Sequence, residues 1–157
     1  MKKLNYQKFI FALIIPQVAG LLGTTATIPN LDSWYKNLIK PDFNPPGWIF
    51  GPVWTVLFLL MGISFYLVWT REGGPNKLNA YVYFFLQLCA NVLWSYLFFA
   101  TRNPQLAFAE IILLLLLIVG NIFYFYKINK TAAYLLIPYV LWVCFAAVLN
   151  YFIAILN

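Results

Sequence analysis

The chain has 157 residues, of which 64% are hydrophobic, 20% aromatic and only 9% charged. Soluble domains run nearer half apolar and a quarter charged; this composition, with a mean hydropathy of +0.81, excludes a disordered segment, a nucleic-acid binder and a secreted disulfide scaffold, and points to an integral membrane protein. The 10 Lys/Arg and 4 Asp/Glu leave a net charge of +6, but the cations stand singly, as residues that set membrane orientation do.

A helix needs about 20 apolar residues to cross about 30 Å of hydrocarbon. Runs 9–31, 43–70, 78–101 and 131–157 meet that length without a charge, and run 103–126 is interrupted only by Glu110. All are continuously apolar, not alternating as barrel strands are. The sequence therefore predicts an all-α integral membrane protein, a single five transmembrane helix bundle over 1–157. Its spans fall at about 9–28, 47–69, 79–100, 104–126 and 132–155, by hydrophobic periodicity and length.

Residues 1–8 and the apolar stretch behind them look like a signal peptide. The apolar run is too long for one, so the first helix is expected to be retained. Ala19, Gly23 and Thr27 recur every four residues in it, a small-residue face for close helix approach within the bundle or at a homodimer seam. A structured first loop, 29–46, follows. Trp34, Tyr35 and Trp48 supply amphipathic surface for the lipid–water boundary, and Pro41, Pro45 and Pro46 restrict the backbone. Taken alone, this pattern fits an interfacial aromatic belt before a proline-defined helix start.

In the second span Phe50, Trp54, Phe58 and Met61 share one helical face. Gly73, Gly74 and Pro75 mark the turn to the third, where Tyr83, Gln87, Asn91, Trp94 and Ser95 form a mixed polar and aromatic stripe. Pro104 suits the first turn of the fourth span. Glu110 lies about 10 Å inside that span at 1.5 Å per residue, and Leu114, Leu117 and Asn121 continue its face. A carboxyl at that depth is a ligand hydrogen-bond donor when protonated, a proton-coupling group, or a group hydrated from the nearby interface. In the fifth span Pro138, Trp142, Phe145, Ala146, Leu149 and Asn150 make a second mixed stripe. The amides Gln87, Asn91 and Asn150 should point inward, away from lipid, where each bonds helix to helix or meets a ligand.

The chain contains no His, which removes imidazole bases, His metal ligands and His-ligated haem. Cys89 and Cys144 lie far apart in apolar runs and read as buried, inert thiols. With no phosphate loop and no Gly-x-Ser-x-Gly elbow, no metal site, cofactor or ordinary catalytic group is expected. Lys2, Lys3, Lys8, Arg71, Lys77, Lys127 and Lys130 fall on one side of the five spans and only Lys36, Lys40 and Arg102 on the other. The positive-inside rule then predicts a cytoplasmic N-terminus and an external C-terminus.

The spacing Trp34-Tyr35-x-x-Leu38-x-Lys40-Pro41-x-x-x-Pro45-Pro46-x-Trp48 resembles the first-loop signature of the translocator protein family, also called tryptophan-rich sensory proteins or peripheral-type benzodiazepine receptors. The resemblance continues through Phe50, Trp54, the run 60–69 and Glu72-Gly73-Gly74. It includes Ala90-Asn91-x-x-Trp94 with Phe98-Phe99, and closes with Pro138-Tyr139-x-x-Trp142-x-x-Phe145-Ala146-x-x-Leu149-Asn150-Tyr151, so it covers essentially the whole chain. It implies a five-helix membrane bundle that binds tetrapyrroles such as protoporphyrin; animal members also bind cholesterol and benzodiazepine-type drugs. By resemblance, Trp34, Tyr35 and Pro45 of the first loop close over a pocket formed by Trp54, Phe58, Asn91, Trp94, Trp142, Phe145, Ala146 and Leu149, with Glu110 as a further candidate. Lys36 and Lys40 lie on the same side and either attract ligand carboxylates or reach towards headgroups. One departure stands out: animal members carry a cation shortly after the tyrosine of the last span, whereas Tyr151 is followed by none, so sterol recognition by that weak motif is not supported. The absent basic tail points to a bacterial member and a bacterial cell membrane.

The leading expectation is a membrane receptor or carrier for porphyrins and similar planar amphipaths, with lipid as its surroundings and no nucleic-acid partner. Two alternatives stand beside it. One is light-dependent degradation of protoporphyrin with Trp54 and Trp142 as oxidisable relays. The other is a proton-coupled exporter using Glu110.

Overall fold

Lipid offers no partner to a backbone N–H or C=O, so a long apolar run satisfies its polar groups internally as helix. In the computed structural model, which describes residues 5–157, these runs become α1 (Tyr6–Leu31), α2 (Phe50–Trp69), α3 (Lys77–Ser95), α4 (Pro104–Ile128), α5 (Lys130–Leu135) and α6 (Ile137–Leu156). A π-helical turn, Tyr96–Ala100, extends α3, and 3-10 turns occupy Tyr35–Asn37 and Gly47–Ile49. Among the described residues five helices are long and apolar enough to span a membrane, α5 and α6 together making the fifth. The protein is a five-helix integral membrane bundle. Lys2 and Lys3, counted for orientation, lie outside the described residues.

Local chemistry explains the ends. Asn5, Asn103 and Asn129 cap α1, α4 and α5 by accepting from Lys8 N, Leu106 N and Ala132 N, the role short polar side chains fill at helix starts. The fifth span breaks at Leu136 because Pro138 has no N–H to give the preceding turn. The first helix runs through Pro29 to Leu31, beyond the expected end, and side chains tie off its last turn. Asn30 Nδ2 donates to Ala26 O at 3.0 Å and Ser33 Oγ to Pro29 O at 3.1 Å.

α1 packs on α2 and α3, α4 on α3 and α6, and α5 on α2 and α4. At the end away from the first loop the core is dense, with Phe65 stacked on Phe84 at 4.3 Å and Phe84 on Phe125 at 5.9 Å. Ala19, Gly23 and Ala26 are buried within the bundle. Cys89 and Cys144 are exposed on the helix surface, which corrects the expectation of buried thiols. A thiol in an apolar run is sheltered from water by lipid as well as by protein, and the run does not say which.

Towards the first loop the bundle opens and the loop roofs it. Trp34 meets Phe98 at 5.5 Å and Tyr35 meets Phe99 at 5.6 Å, while Phe43 packs edge-on to Phe152 at 5.4 Å. Asn157 clamps the loop to the end of α6: its Oδ1 accepts from Ile39 N and its Nδ2 donates to Ile39 O, both at 3.0 Å.

Candidate ligand pocket

Beneath this roof lies a cavity of about 520 Å³, within the range of small-molecule sites. The inward faces of α1, α2, α3 with its π-turn, and α6 line it, and Tyr35, Asn44, Gly47 and Trp48 complete the wall from the loop. The indoles of Trp54 and Trp142 sit in that wall. Trp54 stacks on Phe58 at 5.5 Å and meets Tyr139 at 6.2 Å; Trp142 meets Phe50 edge-on at 5.7 Å. Trp94 stacks on Phe98 at 5.2 Å. Such ring clusters bind a flat ligand by burial plus face and edge contacts.

Two polar knots hold the wall. Asn91 Nδ2 donates to the Tyr139 hydroxyl at 3.2 Å, and that hydroxyl donates to Gln87 Oε1 at 2.8 Å. Trp94 Nε1 donates to Asn150 Oδ1 at 2.9 Å, and Asn150 Nδ2 to Pro104 O at 2.7 Å, tying α3, α4 and α6 together. In the loop Tyr35 OH donates to Asn44 Oδ1 at 3.3 Å. Burial pushes the Tyr35 phenol above its ordinary pKa, an effect this hydrogen bond partly offsets, so the residue is a neutral donor in the roof. By contrast, Trp142 Nε1 is buried without a partner. An unmade buried donor is costly, and this one belongs to a residue of the cavity wall.

Of the residues expected at the site, Tyr35, Trp54, Phe58, Asn91, Trp94, Trp142, Ala146 and Leu149 line the cavity together. Trp34, Pro45, Phe145 and Glu110 are not among its lining residues. Trp34 is turned onto Phe98 and Phe99, which line the cavity. The Pro45 carbonyl accepts from Asn44 Nδ2 at 3.0 Å and shapes the loop. Phe145 packs against Trp142 at 5.5 Å. Glu110 belongs to α4, which contributes nothing to the wall; its carboxyl is 7% exposed and has no hydrogen-bond partner.

The wall contributed by α1, including Gln17, Gly20, Gly23, Thr24 and Thr27, was not anticipated as pocket. Its signal is in the sequence: polar and small residues recur at helical spacing in an otherwise apolar run, a pattern that reads equally well as packing. Phe98 and Phe99 share the wall because the π-turn, closed by Thr101 N on Tyr96 O at 2.9 Å, turns consecutive residues inward. Nothing in the local composition marks that turn.

The architecture is that of an integral membrane protein with a ligand-sized, aromatic pocket inside its helix bundle. Comparison with known proteins makes this specific: the profile of the TspO/MBR family matches residues 12–156. The chain is 38% identical to the tryptophan-rich protein TspO of Archaeoglobus fulgidus over 154 residues, 98% of this chain and 99% of that one. It is 40% identical to the protein of the same name from Chlorobaculum tepidum over 158 residues, with the same coverage. It is 36% identical to the translocator protein of Bos taurus over 141 residues, 88% of this chain and 83% of that one. The chain belongs to the TspO/MBR family, and membership supports a membrane receptor or transporter role.

Proposed function

We propose that the protein is a membrane receptor or carrier that binds porphyrins and similar planar amphipaths in the aromatic pocket under the first loop. The observation that carries this reading is the cavity wall itself, in which Trp54 and Trp142 offer aromatic surface. Its polar complement is small, as in sites that hold largely apolar ligands. We assign the loop side to the cell exterior. Lys8, Lys77, Lys127 and Lys130 of the opposite side lie over the rings of Trp69, Tyr81, Phe123 and Tyr126, an arrangement suited to a cytoplasmic interface.

The test is a titration of the purified protein with protoporphyrin in the dark, followed by tryptophan quenching, and then illumination of the saturated sample. Saturable quenching with a porphyrin spectrum that survives light supports a receptor or carrier. Absence of saturable quenching overturns the reading. A second reading, light-dependent porphyrin degradation, is favoured by one observation, that both indoles line the same cavity. Protein-dependent bleaching of the porphyrin bands, lost in Trp54→Phe and Trp142→Phe, would select it.

A further inference from the structure

The cavity wall contains no charge: no Lys, Arg, Asp or Glu is among its described lining residues. The cations of the loop side are placed elsewhere. Lys40 Nζ donates to Lys36 O at 3.3 Å and to Leu38 O at 3.2 Å, and lies 4.6 Å from the centre of the Tyr35 ring. Lys36 is exposed, and Arg102 bonds Asn30 Oδ1 through Nε and Nη2. Most neutral polar groups of the wall are also committed. The hydroxyls of Thr24, Thr27 and Thr55 donate to carbonyls of their own helices, and Asn91 and Asn150 are committed to the knots described above. The groups left over, the Ser95 hydroxyl and the Trp48 indole N–H among them, carry no charge and cannot replace the hydration of an ionised carboxylate, whose burial without strong partners is prohibitive.

The wall is also incomplete on one side. Leu21 and Ile28 of α1 line the cavity yet are each 66% exposed, and Gly51 and Thr55 of α2 line it and are exposed as well. Gln17 Nε2 donates to Thr55 O at 3.3 Å and bridges the two helices. On the loop side of that bond the gap faces the hydrocarbon that surrounds these apolar residues. The aqueous side is roofed by the clamped loop.

We infer that the pocket takes only the uncharged body of its ligand, drawn from the lipid phase through the gap between α1 and α2, and leaves ionised groups outside. This rests on the porphyrin-binding reading and narrows its ligand class to lipid-partitioned plates recognised without their acids. Of the two expectations for Lys36 and Lys40, this inference favours a reach towards headgroups over drawing ligand carboxylates into the site.

The probes are protoporphyrin as its free dicarboxylic acid and as its dimethyl ester. Both are measured in the dark on the full chain in phosphatidylcholine nanodiscs, corrected for partition into protein-free discs. The ester should bind within about three-fold of the acid, with no loss of affinity at high salt, because no ion pair is there to be screened. Gly51→Trp and Gly51→Leu fill the gap; a Cβ at Gly51 meets nothing within 4 Å, so both variants should fold. They should slow association by about ten-fold or more, whereas Asn157→Ala, which only loosens the roof, should leave it within about two-fold. An acid that binds more than about ten-fold tighter than its ester and weakens with salt would overturn the inference while leaving porphyrin binding intact. So would association that quickens in Asn157→Ala and is unmoved by either Gly51 variant. Absence of saturable binding by either probe would overturn the porphyrin reading itself, and the inference with it.

Discussion

Tyr139 is 1% exposed, and its single hydroxyl serves two buried amides, Asn91 and Gln87. Tyr139→Phe keeps the ring against Trp54 and strands Gln87 Oε1 inside the bundle. Leaving a buried acceptor unmade costs about 1–3 kcal/mol, so thermal unfolding in detergent should show a destabilised protein. Gln87→Leu in the same background should recover part of the loss. Ala146 is buried in the cavity wall, and Ala146→Phe puts a ring where a ligand would lie. Porphyrin affinity, read by absorbance, should fall by more than about ten-fold, as expected when a packed site is overfilled. Trp142→Phe retains an aromatic face and removes a buried N–H that has no partner. Porphyrin affinity should stay within about three-fold and the unfolding temperature should not fall, because an unmade buried donor costs the fold stability. Asn91, Trp142 and Ala146, which line the cavity, were singled out by the family resemblance; their composition and helical spacing alone read equally well as packing. Phe145 is not among the lining residues and packs on Trp142 instead, because one helical position separates the cavity wall from its outer surface.

Among the elements, α1 and α2 meet through a backbone contact that two residues make possible. Pro16 has no N–H, so Ala12 O is left without its helical donor. Gly62 lets α2 come against it: a Cβ there would lie 2.7 Å from Ala12 O and 2.8 Å from Leu13 Cα. Backbone cannot yield as a flexible side chain can, so Gly62→Ala should destabilise the bundle by about 1–3 kcal/mol, measurable as a lowered unfolding temperature. Porphyrin affinity of the folded fraction should change little, since Gly62 does not line the cavity. The five spans were legible because apolar length is a direct consequence of bilayer thickness. The break at Leu136 and the π-turn at Tyr96–Ala100 were not read, although Pro138 signals the first in hindsight. The π-turn has no compositional cue, because it depends on how α3 meets the loop above it.

For the whole molecule, the roof is what covers the loop end of the cavity. Its attachment rests on aromatic contacts along 34–43 and on the Asn157 clamp, which joins residues 118 positions apart. Asn157→Ala removes both clamp bonds. Amide exchange in the loop should accelerate by about five- to thirty-fold while the core helices keep their protection, since the two partly exposed bonds are worth about 0.5–1 kcal/mol each. Faster exchange throughout the bundle would instead show that the clamp supports global stability.

By itself the sequence determined the solvent, the helical class, the number of spans and the family. Each of these follows from composition, apolar run length or a spacing of distinctive residues, all of which are local properties of the chain. Only the tertiary structure decided which faces of those helices enclose the cavity. In lipid the inner and outer faces of a helix are both apolar, so periodicity carries little of the usual inside–outside contrast. The structure alone therefore shows that α1 supplies a wall, that α4 with Glu110 supplies none, that both cysteines face outward, and that no charged side chain is among the residues lining the pocket.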